Sequence, residues 1–210
     1  MSRSTGRVDG LTHEDGSRAV ELARDSVRAF VKDGRREEPG SMRDAFYDRS
    51  GAFVRLESAT ARGQLRGCAG AYDSPSDLEN GSRRLGMAIV DAAIGAASDD
   101  SRTVVTAPEL DTLAVTVFVV ETVTETTDPV EDIEIGEHGL AMEGRGTAGW
   151  MFPTVPVEND WGVYEYLDHT ARKADLPADA WMDDDVRVVT LSGPVFAENE
   201  PGGSVGRRLE

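Results

Sequence analysis

The sequence predicts one α+β domain in which a hairpin, a helix and a strand occur twice around a barrel-like, largely antiparallel sheet with flanking helices. Pairs of short apolar runs separated by turn residues indicate hairpins. Apolar residues at helical spacing follow each pair, and a longer apolar strand then closes each unit. The two units span residues 51–123 and 134–197 and share no obvious sequence identity. The predicted duplication is therefore one of topology.

The first predicted element is an amphipathic helix over residues 13–33. Thr12 and Asp15 have the spacing of a capping box at its start, and Gly34 supplies a stop at its end. Its apolar residues recur three and four positions apart, which places them on one face. They are Ala19, Val20, Leu22, Ala23, Val27, Phe30 and Val31.

The first unit begins with a hairpin of residues 51–57 and 64–71. Ser76 and Glu79 have capping-box spacing, and a helix is predicted after them. Its small apolar residues indicate close packing on a sheet, and they are Leu85, Ala88, Ile89, Ala92, Ala93 and Ala96. Residues 113–123 are apolar at both alternating sets of positions, which predicts one strand covered on both sides.

The second unit begins with a hairpin whose arms, residues 134–143 and 147–153, flank a Gly-Arg-Gly turn. Asn159 or Asp160 is predicted to cap the following helix. One face of that helix should carry Trp161, Tyr164, Leu167, Ala171 and Ala174.

The last predicted strand covers residues 186–197, with a bulge or bend at Gly193 and Pro194. Residues 1–10 and 198–210 are rich in glycine, proline or charge and are predicted to be disordered tails. The domain itself should occupy residues 11–197.

Charge is the strongest global signal, because 39 acidic residues against 22 basic ones give a net charge of −17. Only Lys32 and Lys173 are lysines. Such self-repulsion is relieved when concentrated salt shortens the screening length to about 3 Å at 1 M. We therefore expect a halophilic, archaeal-like protein, the alternative being an anionic surface for a basic partner. Nucleic acid is an unlikely partner, because no arginine-rich stretch is interleaved with aromatic residues.

The compartment predicted from the sequence is the cytoplasm. The N-terminal residues 1–10 are polar and lack the apolar region of a signal peptide. No apolar run is long enough to span a membrane. Cys68 is the only cysteine, so no internal disulfide can form, which fits a reducing compartment.

The candidate site is the segment Leu-Arg-Gly-Cys-Ala-Gly at residues 65–70. Strand alternation would place Arg66 and Cys68 on one face, where the guanidinium would favour a reactive thiolate. Gly67 and Gly70 would let a ligand or another backbone come close. In the alternative interpretation Cys68 is a small buried hydrophobic residue, the glycines mark a tight crossing, and Arg66 binds carbonyls or an acidic neighbour.

His138 is the third candidate catalytic residue, and Gly139 beside it is a further candidate ligand contact. If the two hairpins are equivalent, His138 could approach Cys68 and form the Cys–His pair that activates thiol nucleophiles. A structural role for His138 is the alternative. The other histidines, His13 and His169, are scattered along the chain, so no metal site and no cofactor are predicted.

The hexapeptide resembles the Leu-Arg-Gly-Cys-Ile-Gly signature of the AMMECR family, with Ala69 in place of isoleucine. Residues 135–140 resemble the family's Gly-x-His-Gly element. Residues 173–176 resemble its Lys-Ala-Gly-Leu segment, with Asp175 in place of glycine. The matches occur in order across residues 11–197.

This resemblance implies an α+β domain with a duplicated strand and helix arrangement, but no established biochemical activity. Prokaryotic relatives are often encoded beside, or fused to, a Memo-type protein and a radical-SAM protein. We therefore expect a non-catalytic or accessory module that acts with such partners. The alternative is a small-molecule-binding or thiol-dependent enzyme that uses the face of residues 66–70. The oligomeric state stays open.

Overall fold

The computed structural model describes residues 11–40, 46, 51–60, 63–73, 84–99 and 102–209. The helices of this part are α1 (His13–Asp33), α2 (Leu85–Ala97), α3 (Pro129–Asp132), α4 (Thr154–Glu158) and α5 (Val163–Lys173). The strands are β1 (Gly51–Ser58), β2 (Gln64–Ala71), β3 (Leu113–Val120), β4 (Thr122–Thr126), β5 (His138–Gly144), β6 (Thr147–Met151), β7 (Val186–Ser192), β8 (Val195–Glu198) and β9 (Val205–Arg208). Short 3₁₀ turns cover Ala107–Thr112 and Ala180–Met182.

Helix α1 confirms the predicted bounds and both of its caps. The Thr12 side chain accepts from the Asp15 backbone N–H, and the Asp15 carboxylate accepts from the Thr12 backbone N–H at 2.9 Å. Gly34 ends the helix with φ at 61°, a left-handed conformation that suits glycine. The capping pair predicted at Ser76 and Glu79 lies outside the described residues.

The strand order reveals the duplication directly. One sheet has the order β2-β1-β3-β8-β9 and the other has the order β4-β7-β5-β6, and every pairing is antiparallel. Read from the opposite edge, β6-β5-β7-β4 repeats the pattern of β2-β1-β3-β8. The predicted α+β class is confirmed, with the antiparallel strands divided between two sheets.

The two sheets exchange strands at two breaks in the chain. The apolar run at 113–123, predicted as one strand, is divided at Glu121, and its second part, β4, pairs with β7 of the other sheet. The segment 186–197 is divided at the predicted bend, and β8 pairs with β3. Gly193 has φ at 152°, and a Cβ there would lie 2.0 Å from the Val119 carbonyl oxygen. Only glycine fits at this crossing.

The second unit differs from the prediction at the start of its helix. Asn159 ends the short helix α4, and α5 begins after Gly162, whose backbone N–H donates to Glu165 at 2.7 Å. Asp160 has φ at 56°, a left-handed conformation that separates the two helices. Tyr164 is 61% exposed rather than on the buried face. The neighbouring Tyr166 is buried instead.

The C-terminal segment also differs from the expectation of a tail beyond residue 197. Asn199 donates its backbone N–H to the Ser204 carbonyl at 2.8 Å, which closes a turn after β8. Strand β9 then pairs with β8 along the edge of the five-stranded sheet. Residues 198–209 depart from the predicted tail because a short edge strand takes its hydrogen bonds from its neighbour and needs little apolar sequence of its own. Residues 1–10 lie outside the described part of the chain.

Among the residues that the structure describes, three apolar clusters hold the elements together. One lies between the five-stranded sheet and helices α1 and α2, and a second lies between the four-stranded sheet and α5. The third lies between the two sheets and joins Phe53, Phe118, Val120, Ala141, Phe152, Val189, Leu191 and Val195. Within the described ranges, no helix is both long and apolar enough to cross a membrane.

Candidate functional site

Cys68 lies on the side of β2 that faces the gap between the two sheets. It pairs with Arg55 of β1, which pairs in turn with Thr116 of β3. Directly opposed residues in an antiparallel sheet point to the same face. The half-buried Cys68 therefore packs against the inter-sheet cluster.

Arg66 does not share this environment, because β2 contains a bulge. Leu56 pairs with Gly67 and Glu57 pairs with Leu65, which leaves Arg66 as the extra residue. Its side chain turns towards the connection between α2 and β3, where Nε donates to Glu109 Oε1 at 2.7 Å. The bulge interrupts the strict alternation from which a shared face for Arg66 and Cys68 was predicted, and no hydrogen bond joins these two side chains in the described part of the chain.

Arg66 shifts the pKa of Glu109, its hydrogen-bond partner, rather than that of the Cys68 thiol. Hydrogen bonding from Arg66 lowers the pKa of the Glu109 carboxyl to about 2. Nη2 of Arg66 also donates to the Thr103 carbonyl at 3.3 Å. Arg66 thereby connects the bulge in β2 to the segment between α2 and β3. This agrees with the alternative interpretation, in which Arg66 binds carbonyls or an acidic neighbour.

The thiol of Cys68 is held in its neutral form. Burial raises its pKa to about 11, and the Lys173 ammonium is the charge that opposes this rise most strongly. Arg55 and Arg102 oppose it less, and Asp99 adds to it. A thiol with a raised pKa is a poor nucleophile at neutral pH. This environment disfavours the thiolate on which the predicted reactivity of Cys68 depends.

The two candidate glycines of the hexapeptide approach protein groups. A Cβ on Gly67 would lie 1.8 Å from the Ala96 carbonyl oxygen of α2. A Cβ on Gly70 would lie 2.3 Å from the Phe53 ring. Gly139 is similar, since its Cβ would lie 2.8 Å from the Phe118 ring. Tight packing accounts for all three glycines, and their contact with a ligand stays a prediction.

His138 opens strand β5 and is engaged locally. Its Nδ1 accepts the Glu134 backbone N–H at 3.1 Å, and its carbonyl accepts the Tyr166 hydroxyl at 3.2 Å. In the part of the chain that the structure describes, no hydrogen bond or ion pair joins His138 to Cys68. Its contacts are those of a structural histidine, and its catalytic role stays a prediction.

A lysine that sequence reasoning did not select lies near Cys68. Lys173, the last residue of α5, places Nζ 4.3 Å from the centroid of the Trp150 ring. Trp150 in turn lies 4.2 Å from the Phe53 ring of the first sheet, measured between centroids. The available signal was that Lys173 is one of two lysines and begins a segment that matches the family.

A second feature is an exposed aromatic patch at the start of α5 and on the 3₁₀ turn that follows it. Tyr164 and Met182 are 61% and 62% exposed. Tyr164 lies 6.0 Å from the Trp181 ring, and Trp161 stacks on His169 at 4.0 Å, both measured between ring centroids. These five residues, Trp161, Tyr164, His169, Trp181 and Met182, are called the aromatic patch below.

The donor groups described do not assemble into a metal site. No group of three His, Cys, Asp or Glu side chains placed to hold a metal ion occurs among residues 11–40, 46, 51–60, 63–73, 84–99 and 102–209.

Comparison with known proteins decides the family. The AMMECR1 family model matches residues 20–196 of this chain. The chain belongs to the AMMECR1 family. Its relatives include a Halobacterium salinarum protein that is 58% identical over 189 residues, covering 90% of each chain. A Methanococcoides burtonii protein is 36% identical over 201 residues, covering 93% of this chain and 94% of the relative.

A solved structure supports the fold of this AMMECR1-family chain. The crystal structure of an uncharacterised protein from Pyrococcus horikoshii superposes with a TM-score of 0.82 at 32% sequence identity. The match covers 95% of this chain and 99% of that one. The fold of this chain, with its two sheets that exchange strands, is therefore similar to a fold determined by crystallography.

Proposed function

We propose that this AMMECR1-family protein is a non-catalytic accessory module that docks on a partner protein through the aromatic patch. The exposure of Tyr164 and Met182 carries this proposal. Aromatic residues and methionine are enriched where protein interfaces are buried, and each exposes apolar surface that burial would stabilise.

The chemistry at the hexapeptide supports a role without catalysis. The thiol of Cys68 has a raised pKa, and Arg66 is engaged by Glu109. A nucleophilic cysteine needs a base or a cationic group that favours its thiolate. His138 Nδ1 accepts the Glu134 backbone N–H within its own turn, so this hydrogen bond does not bring the imidazole to Cys68 as a base.

The proposed partner is a Memo-type protein or a radical-SAM protein. This choice rests on the family resemblance, because prokaryotic relatives are often encoded beside, or fused to, proteins of these two kinds. The patch adds a chemical requirement, because acidic side chains at Asp160, Glu165, Asp168 and Asp183 lie beside its residues in the sequence. A fitting partner surface would offer an apolar centre with basic groups around it.

The proposed setting is the cytoplasm of a salt-accumulating archaeon. The net charge of −17 and the lack of a second cysteine support it. In concentrated salt, surface charges are screened, so apolar contacts such as those of the patch would supply most of the affinity.

Binding measurements in concentrated KCl test the docking proposal. The partners are the purified Memo-type and radical-SAM proteins encoded in the same genome. The test variant is the double substitution Tyr164→Glu with Met182→Glu. The control is Val104→Glu, which places one such glutamate, half of the charge added to the patch, on a valine that is 48% exposed and lies between α2 and β3.

Wild type and the Val104→Glu control should bind one of the two partners with equal affinity. The patch variant should bind at least about tenfold more weakly, a loss of about 1.4 kcal/mol. Circular dichroism should show that all three proteins are folded. The proposal is wrong if neither partner binds, or if the patch variant binds as the wild type does.

A further inference from the structure

A cavity of about 270 Å³ lies between the five-stranded sheet and helix α4. The sheet lines it with a row of directly paired residues, in which Arg55 pairs with Thr116 and Thr116 pairs with Ala197. Ala197 pairs in turn with Gly206 of the edge strand β9. Paired residues point to one face of a sheet, and neighbouring strands are about 4.8 Å apart. Helix α4 contributes Thr154, Val157 and Glu158 to the cavity wall.

At one end of this row, Arg55 is already neutralised by two carboxylates. Its Nη2 donates to Glu57 at 2.6 Å, and its two terminal nitrogens donate to Glu158 at 3.2 and 3.1 Å. Nη1 also donates to the Thr154 hydroxyl at 3.4 Å. An anion placed here would face Glu57 and Glu158, whereas a hydroxyl or amino group would find acceptors in them. This end therefore favours a hydrogen-bond donor of a ligand.

The other end of the row carries a guanidinium without an anionic partner. Arg208 lines the cavity, and its Nη2 donates to the Glu198 backbone carbonyl at 3.1 Å. The Glu198 carboxylate is engaged by Arg24 instead. In the part of the chain that the structure describes, Arg208 forms no ion pair. Its Nη1 would lie 3.7 Å from a Cβ on Gly206, so the guanidinium lies over the end of the row. A guanidinium fork matches the two oxygens of a carboxylate.

Between the two ends, Thr116 presents a hydroxyl that the protein does not engage. Thr116 is only 8% exposed and lines the cavity. Within the described ranges, its hydroxyl has no hydrogen-bond partner. Buried hydroxyls are normally hydrogen-bonded, because a hydroxyl without a partner loses the contacts that water would give it. The small side chain of Ala197 beside it leaves room for a ligand group that would supply this partner.

We propose that this cavity binds a small organic acid that carries one carboxylate and a neighbouring hydroxyl or amino group. The carboxylate would pair with Arg208, and the hydroxyl or amino group would bond to Thr116. A phosphate is a poorer fit, because its second negative charge would face Glu57 and Glu158. The site goes beyond the docking role, since none of the described residues that line the cavity belongs to the aromatic patch.

Five probes separate the chemical groups of the proposed ligand. Acetate carries only a carboxylate, glycerol carries only hydroxyls, and glycerate and serine carry a carboxylate with a hydroxyl or amino group. Inorganic phosphate is the fifth probe. Ligand-observed NMR titration in concentrated KCl measures each Kd. Glycerate or serine should bind at least about tenfold more tightly than acetate, because a hydrogen bond to Thr116 adds to the ion pair with Arg208. The proposal is overturned if acetate, glycerol or phosphate binds as tightly as both of them.

Two arginines side by side on β9 supply a matched control. Arg208→Met should weaken binding of the tighter probe at least about tenfold. Arg207→Met should bind it as the wild type does, because Arg207 is exposed and points to the opposite face of the strand. Equal losses in the two variants would overturn the assignment of the carboxylate to Arg208.

Thr116→Val tests the hydroxyl without disturbing the fold. Valine has nearly the shape of threonine, and the hydroxyl that it removes has no partner in the described part of the chain. The Tm of the ligand-free protein should therefore not fall, while glycerate should bind only as weakly as acetate does. Unchanged affinity for glycerate would overturn the role of Thr116. These titrations contain no partner protein, so their outcome is independent of docking through the aromatic patch.

Discussion

Arg24 of α1 and Glu198 at the end of β8 form a buried ion pair that fixes the first helix to an exchanged strand. Their side chains are only 9% and 3% exposed. Arg24 also donates to the carbonyls of Leu110 and Leu113, and Glu198 accepts the Val115 backbone N–H at 3.0 Å. The pair therefore satisfies backbone groups of β3 and of the segment before it.

Replacing Glu198 by glutamine should lower the free energy of unfolding by about 3–5 kcal/mol, because Arg24 would keep a buried charge without a counterion. Denaturant unfolding in concentrated KCl measures this change. Glu21→Gln, which breaks the exposed pair of Glu21 with Arg18, should cost at most about 1 kcal/mol. Equal losses in the two variants would contradict the importance of the buried pair.

Alkylation of Cys68 against pH should report a folded-state pKa near 11, well above that of a free thiol. Lys173→Met should raise this pKa further, because it removes the charge that most favours the thiolate. Arg66→Ala should leave the titration unchanged, since Arg66 binds Glu109. A wild-type pKa below about 8.5, or a larger pKa change in Arg66→Ala than in Lys173→Met, would instead support the prediction of a reactive thiolate at Cys68.

Gly67→Ala should lower the free energy of unfolding by about 1–3 kcal/mol, because its Cβ would collide with the backbone of α2 and force the helix away from β2. Gly206→Ala is the matched control, since its nearest neighbour, the Asn199 side chain, would lie 3.5 Å from the new Cβ. The same unfolding measurement compares them. Similar stability of both variants would show that α2 can move without cost.

The Arg66–Glu109 pair should make stability depend on acidic pH. The folded-state pKa of Glu109 is lowered from 4.5 to about 2, so the pair stabilises the fold above pH 4.5. That contribution should be lost as the pH falls from 4.5 towards 2. Carboxyl NMR should show the Glu109 pKa moving back towards 4.5 in Arg66→Ala. It should not move in Arg145→Ala, whose arginine binds Asp183 and Asp185.

Local signals in the sequence were sufficient for most elements. Helix α1 was predictable because Thr12, Asp15 and Gly34 act within a few residues of its ends. Both hairpins were predictable because short apolar arms flank turn residues. The exchange of β4 and β8 was not, since an apolar run indicates burial without saying which sheet a strand joins. Glu121, the only charged residue in the run at 113–123, was the one signal of the first break.

The site was less predictable than the fold, because it depends on contacts between distant segments. Strand alternation could not be relied on at Arg66, because a bulge there interrupts the pairing and the side chain binds Glu109, which is 43 positions away. Lys173 lies over 100 positions from Cys68, and no local pattern relates the two. The exposure of Tyr164 depended on where α5 begins, which the left-handed residue Asp160 moved beyond the predicted cap.

The exchange of β4 and β8 makes the two halves of the chain mutually dependent. Each half ends in a strand whose hydrogen-bonding partner belongs to the other half, so neither sheet is complete without both. Cooperative unfolding in a single transition follows from this arrangement. Trp150 and Phe53, which meet between the two sheets, are then held at a fixed separation. Moving the two halves apart would require breaking backbone hydrogen bonds between strands as well as apolar contacts.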